Sequence, residues 1–240
     1  MSRKKLVVCG DSFMSPSSAL PGTHFSEIVS RELDLELIPL SRSAMSNGGI
    51  VSQLEYASTI ENCFILFNTT FADRIEFNLS QDNLEERNEK VTCLDFYYGN
   101  RKDLSCREVR TQSPILGSES IESLVGGDFF TEKKESFDLF LKNIYNRNWK
   151  IQTDRNLIYS SAHQIYSKAI PFLMVIDIIG ASNIMNWLPM KNLGFEWKIL
   201  DKIRLENADG NFTDPGYHTT PDVQIRVAED TIERIKKLIQ

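Results

Sequence analysis

The chain has 240 residues, 41% of them apolar and 25% charged, with a formal net charge of −6, which is enough to bury one large core. An acidic balance without a basic run attracts neither phosphate backbones nor anionic lipid, so nucleic acid is not an expected partner. The apolar stretch Leu6 to Cys9 stops at Gly10 and Asp11, and Ala169 to Gly180 is broken by Pro171 and Asp177; neither matches a signal-peptide core or a membrane span, and a cytoplasmic protein is expected.

Lys5 to Cys9 reads as a buried strand, and Thr23 to Leu33, opened by Thr-x-x-Ser, as a helix. Leu35 to Leu40 is a second strand. Ser41 to Gly49 is a loop of small polar residues, Ile50 to Ile60 has helical spacing, and Cys63 to Phe67 is a third strand ending at Asn68-Thr69-Thr70. Strands separated by helices predict an α/β fold with a parallel sheet and right-handed crossovers.

After Phe71 the rhythm stops. From Asn78 to about Thr131 the chain is polar and aperiodic, so one domain with an insertion or lid over 78–131 is expected. Asp73-Arg74-x-Glu76, just past the third strand, reads most simply as a local ion-paired turn, with lining of a cleft as the other reading. Within the insertion, Phe96, Tyr97, Tyr98, Phe129 and Phe130 supply either a small core or an aromatic platform for an acyl or sugar group. Glu132 to Lys150 and Asn156 to Ala169 show helical spacing. Pro171 to Ile179 reads as a strand buried on both faces, Phe195 to Leu200 as a further strand or edge element, and Asp222 to Ile239 as a closing amphipathic helix.

Ser12, at the carboxyl end of the first strand, is either a helix cap or a nucleophile. The choice depends on a base. His24 and His163 fall at the start of one predicted helix and inside another, and read as packing or surface residues. His218 follows Asp214-Pro215-Gly216-Tyr217 in a turn-rich loop. Pro-Gly at the centre of a type II turn reverses the chain and returns Asp214 beside His218. An Asp behind a His fixes its tautomer and leaves the other nitrogen to take a serine proton, which makes Ser12, His218 and Asp214 a candidate triad. The four cysteines, Cys9, Cys63, Cys93 and Cys106, lack metal-site spacing; Cys9 and Cys63 read as buried free thiols.

Gly10-Asp11-Ser12-Phe13 and His218-Thr219-Thr220-Pro221-Asp222-Val223 together resemble the first and last blocks of the SGNH, or GDSL, hydrolases. The resemblance implies a three-layer α/β/α flavodoxin-like fold, with Ser12 as nucleophile. It also implies oxyanion-hole donors from two middle blocks. The Ser43-to-Ile50 loop is similar to the second, where Ala44, Ser46 or Gly48 fills the place of the family's Gly. Asn68 stands for the Asn of the third, with Thr69 or Thr70 as hydroxyl substitutes in another register. The family places its Asp three residues before its His, so Asp209 and Asp222 stay open beside Asp214. About residues 5 to 70 and 170 to 240 carry the resemblance.

The resulting expectation is a serine esterase acting on an O-acetylated carbohydrate or an acyl ester, without metal or organic cofactor. The alternative is a catalytically impaired binding or structural protein on the same scaffold. Its insertion would serve homo-oligomerisation or docking in a larger assembly.

Overall fold

Leu6, Val7, Val8 and Cys9 are all fully buried, as a strand with apolar residues on both faces requires. The computed structural model describes residues 4–16, 19–42, 45–72, 74–78, 93–97, 108–111, 136, 139–140, 143–181 and 221–239. In chain order its elements are β1 (Lys5–Cys9), α1 (Phe25–Glu32), β2 (Glu36–Pro39), α2 (Asn47–Ala57), β3 (Cys63–Asn68), β4 (Arg74–Asn78), β5 (Cys93–Tyr97), β6 (Glu108–Thr111), α3 (Arg147–Ser167), β7 (Phe172–Ile176) and α4 (Pro221–Ile239).

The parallel sheet runs β2-β1-β3-β7. Side-chain alternation divides its residues between two cores. Val7, Cys9, Ile65, Phe67, Phe172 and Met174 share one with Ile50 and Leu54 of α2 and Ile158, Ala162 and Ile165 of α3. Leu6, Val8, Phe64, Leu66, Leu173 and Val175 share the other with Phe25 and Val29 of α1 and Val223, Val227 and Ile235 of α4. Burial of each such side chain contributes about 2 kcal/mol. Two helices on each face make the three-layer flavodoxin-like arrangement expected from the sequence.

Three elements differ from expectation, each because a polar side chain decides a boundary. Helix α1 starts at Phe25, two residues after the expected Thr23: His24 is its cap, its ring accepting the Ser26 N–H at 3.3 Å while Glu27 accepts the His24 N–H at 3.2 Å. Helix α2 starts at Asn47 rather than Ile50, because Ser46 Oγ accepts the Gly49 N–H at 3.0 Å. Helix α3 runs unbroken through the gap expected between Lys150 and Asn156. Its buried stripe of Lys150, Asp154, Ile158, Ala162 and Ile165 has helical spacing, but it opens with a buried ion pair between Lys150 and Asp154 that interrupts the apolar pattern.

Strands β4, β5 and β6 form a separate antiparallel sheet. The excursion after β3 therefore carries regular elements of its own, and the first begins at Arg74, ahead of the expected boundary at Asn78. The rest of the 78–131 stretch and residues 195–200 lie outside the described residues. No helix among the described residues is long and apolar enough to cross a membrane.

Candidate active site

Gly10 turns the chain out of β1 with φ at +142°, in the region that favours glycine. The space is as demanding as the dihedral, since a Cβ here would stand 1.9 Å from Asn68 Oδ1 and 2.6 Å from Met14 Cγ. Gln53 of α2 holds both backbone polar groups of this residue, accepting the Gly10 N–H and donating to the Gly10 carbonyl at 3.4 Å. The Arg42 N–H donates to that carbonyl at 3.0 Å. Ser12 follows in a tight turn, with the Met14 N–H bonded to the Asp11 carbonyl at 3.0 Å and the Ser15 N–H to the Ser12 carbonyl at 3.4 Å. Ser12 is 8% exposed, at the carboxyl end of β1.

Beneath it lies a fully buried carboxylate, Asp11. Its Oδ1 accepts from Asn68 Nδ2 at 2.8 Å and from the Phe13 N–H at 3.0 Å; its Oδ2 accepts from Thr70 Oγ1 and from Arg74 Nη1, each at 2.7 Å. A charge at this depth persists only when paired and hydrogen-bonded, and Asp11 has both kinds of partner. Asn68 completes the contact by accepting the Asp11 N–H at 3.2 Å.

The end of β3 distributes its polar side chains among the neighbouring elements. Pairing with β7 steps from Phe67↔Met174 to Asn68↔Ile176, an irregularity at the rim of the sheet. Thr69 Oγ1 donates to Asp177 at 3.1 Å and accepts the Ile178 N–H at 2.7 Å. Asn47, the first residue of α2, brackets Thr70: its Oδ1 accepts the Thr70 N–H at 2.8 Å and its Nδ2 donates to the Thr70 carbonyl at 3.0 Å. The same Nδ2 donates to Asp154 at 2.8 Å, and Asp154 accepts from Lys150. A continuous buried network thus runs from α3 through α2 and β3 to the turn that carries Ser12.

Of the residues expected at the site, Ser12 and Asn68 stand at the carboxyl ends of adjacent strands. Ser46 and Gly48 open α2, where Ser46 Oγ caps the helix and the Gly48 N–H has no intrahelical acceptor. His218, Asp214, Asp209 and Ala44 lie outside the described residues. Asp222 is exposed in the first turn of α4, where a carboxylate complements the helix dipole. His24 is fully buried and structural, with Nε2 bonded to the Phe13 carbonyl at 3.2 Å. Exposed His163 stacks beside Tyr159.

Arg74 has a partner that the sequence does not suggest. Its guanidinium turns inward to Asp11 across 63 residues in a buried pair, whereas Asp73 and the Glu76 side chain of the expected ion-paired turn lie outside the described residues. Burial pushes the Cys9 and Cys63 thiols above their ordinary ionisation range, and Arg42 is lowered by the same cause. Among the described residues no group of His, Cys, Asp and Glu could hold a metal ion.

No protein-family profile and no curated protein sequence matches the chain. Solved structures do. The crystal structure of TesA superposes with a TM-score of 0.54 at 12% identity, covering 98% of this chain and 99% of that one. The psychrotrophic esterase EstA from Pseudoalteromonas sp., in a structure inhibited by monoethylphosphonate, superposes with a TM-score of 0.52 at 9% identity, covering 98% of each. The chain has the fold of the SGNH hydrolases.

Proposed function

We propose that this protein is a serine esterase that cleaves an O-acetylated carbohydrate or an acyl ester through Ser12, His218 and Asp214. One observation carries the reading: Ser12 stands at the carboxyl end of β1, where the strand order turns from β2 to β3, the crevice in which open α/β sheets hold their ligands. The esterase fold of EstA supports the same chemistry.

In this reaction His218 takes the Ser12 Oγ proton as Oγ bonds to the ester carbonyl carbon. The oxyanion that forms meets N–H groups at the start of α2, around Ser46 and Gly48, and the Asn68 amide. Asn68 Nδ2 carries two hydrogens, of which Asp11 accepts one. Each such donor is worth about 3 kcal/mol in the transition state. The intermediate collapses by breaking the C–O bond, and the alcohol leaves with the proton from His218. Water, deprotonated by His218, then releases the acid and restores Ser12. Asp214 orients the imidazole. These steps require no cofactor.

A fluorophosphonate probe tests the reading. It should label the wild-type serine, spare Ser12→Ala and react far more slowly with His218→Ala; equal labelling of wild type and Ser12→Ala rejects Ser12 as nucleophile.

A second reading, a binding or structural protein, draws on the way Asp11 engages both the Asn68 amide and the Thr70 hydroxyl. It predicts a wild type that the probe does not label, and self-association that is lost when 78–131 is replaced by a short linker.

A further inference from the structure

We infer that Arg74 is a positioning residue that sets the nucleophile turn against the start of α2; the inference rests on the reading of Ser12 as nucleophile. Arg74 opens β4, the first strand of the antiparallel sheet, and is 8% exposed. A single nitrogen, Nη1, donates to Asp11 Oδ2 at 2.7 Å and to the Met45 carbonyl at 3.1 Å. Asp11 precedes Ser12, and Met45 precedes Ser46, the cap of α2. One guanidinium therefore joins the stretch that carries the nucleophile to the stretch that carries the N–H donors proposed for the oxyanion.

Two physical effects follow, and both act on the transition state. Oxyanion donors work only when held about 2.7–3.1 Å from the position the charge will occupy, and a displacement of about 1 Å can cost about 100-fold in rate. The Asp11 carboxylate also belongs to the residue before the nucleophile and is bonded to Asn68, a donor proposed for the oxyanion, in a buried setting where like charges repel strongly. Arg74 offsets that charge. A neutral ester in its ground state feels neither effect, so the loss of Arg74 falls on kcat and leaves KM nearly unchanged.

The experiment is saturation kinetics of the full chain with p-nitrophenyl acetate, comparing wild type, Ser12→Ala, Arg74→Lys and Arg74→Met. Lys keeps the positive charge but lacks the planar head group and the reach of Arg. Arg74→Lys should therefore melt close to wild type and turn over about tenfold more slowly, and Arg74→Met about 100-fold more slowly, each with KM within about threefold of wild type. A folded Arg74→Lys with wild-type kcat, or a loss confined to KM, overturns the positioning role while Ser12→Ala remains inactive. Activity retained in Ser12→Ala overturns the underlying reading of the nucleophile instead.

Discussion

Thr70 Oγ1 donates to Asp11 Oδ2 at 2.7 Å, joining residues 59 apart in the chain and tying the end of β3 to the turn after β1. The bond is buried on both sides. Thr70→Val keeps the shape and removes the hydroxyl, leaving a carboxylate short of one donor. The expected cost is about 2 kcal/mol of unfolding free energy, since bonds to charged groups exceed neutral ones. Urea denaturation measures it, and a change within experimental scatter would show the bond to be energetically idle.

Gly10→Ala combines a disfavoured dihedral with a collision against Asn68 and Met14. Backbone strain alone accounts for about 1–3 kcal/mol, and the overlap adds to it. The variant should be destabilised by at least about 3 kcal/mol or fail to accumulate as folded protein. A urea midpoint equal to that of wild type would contradict the turn geometry described above.

Asn47 separates two kinds of loss. Asn47→Ala removes the bracket on Thr70 and the donor to Asp154, a cost of about 2–4 kcal/mol. Asn47→Asp retains an acceptor for the Thr70 N–H but sets a second carboxylate against Asp154. At neutral pH it should be the less stable variant of the two. Thermal melts of both proteins decide the order, and a more stable Asp variant would place the electrostatic cost elsewhere.

Cys9 and Cys63 make stability fall in alkali. Burial raises both folded-state values above the ordinary 9.0, so the native chain holds these protons more tightly than the unfolded chain does. Their contribution is complete below about pH 9 and declines as pH rises beyond it, because the unfolded thiols ionise first. The loss approaches about 1.4 kcal/mol per pH unit for Cys9, and Cys63 adds to it in the same direction. Urea unfolding from pH 7 to 10 should show a shallower decline in Cys9→Ala and Cys63→Ala than in wild type. Iodoacetamide should modify neither thiol until the chain unfolds.

The residues that declare themselves in the sequence are those whose partners are many and apolar. Leu6 to Cys9, Cys63 to Phe67 and Phe172 to Ile176 read as strands buried on both faces, and the Val223, Val227, Ile235 stripe as a packed helix. Gly10-Asp11-Ser12 announces a turn at a strand end. Arg74 and Asp11 do not announce each other, because a buried ion pair leaves no local periodicity and Asp73-Arg74-x-Glu76 resembles any solvated cluster. Lys150 and Asp154 keep helical spacing, but their charges interrupt the apolar stripe by which a helix is read and so hide the first turns of α3. His24 is concealed differently. Its role depends on Phe13 and Ser26 both meeting one ring, a coincidence that only folding creates.

Asn68, Thr69 and Thr70 bond to the β1 turn, to the end of β7 and to α2 respectively. The floor of the crevice is thus a buried polar lattice in which the Asn68 and Thr70 side chains brace the β1 turn, the Thr69 hydroxyl braces the end of β7, and the Thr70 backbone holds the start of α2. Such a floor has little freedom to be resculpted for a new ligand, because altering one brace loosens a wall. Adaptation to different ligands would have to come from residues outside the lattice, which stays the constant part of the crevice.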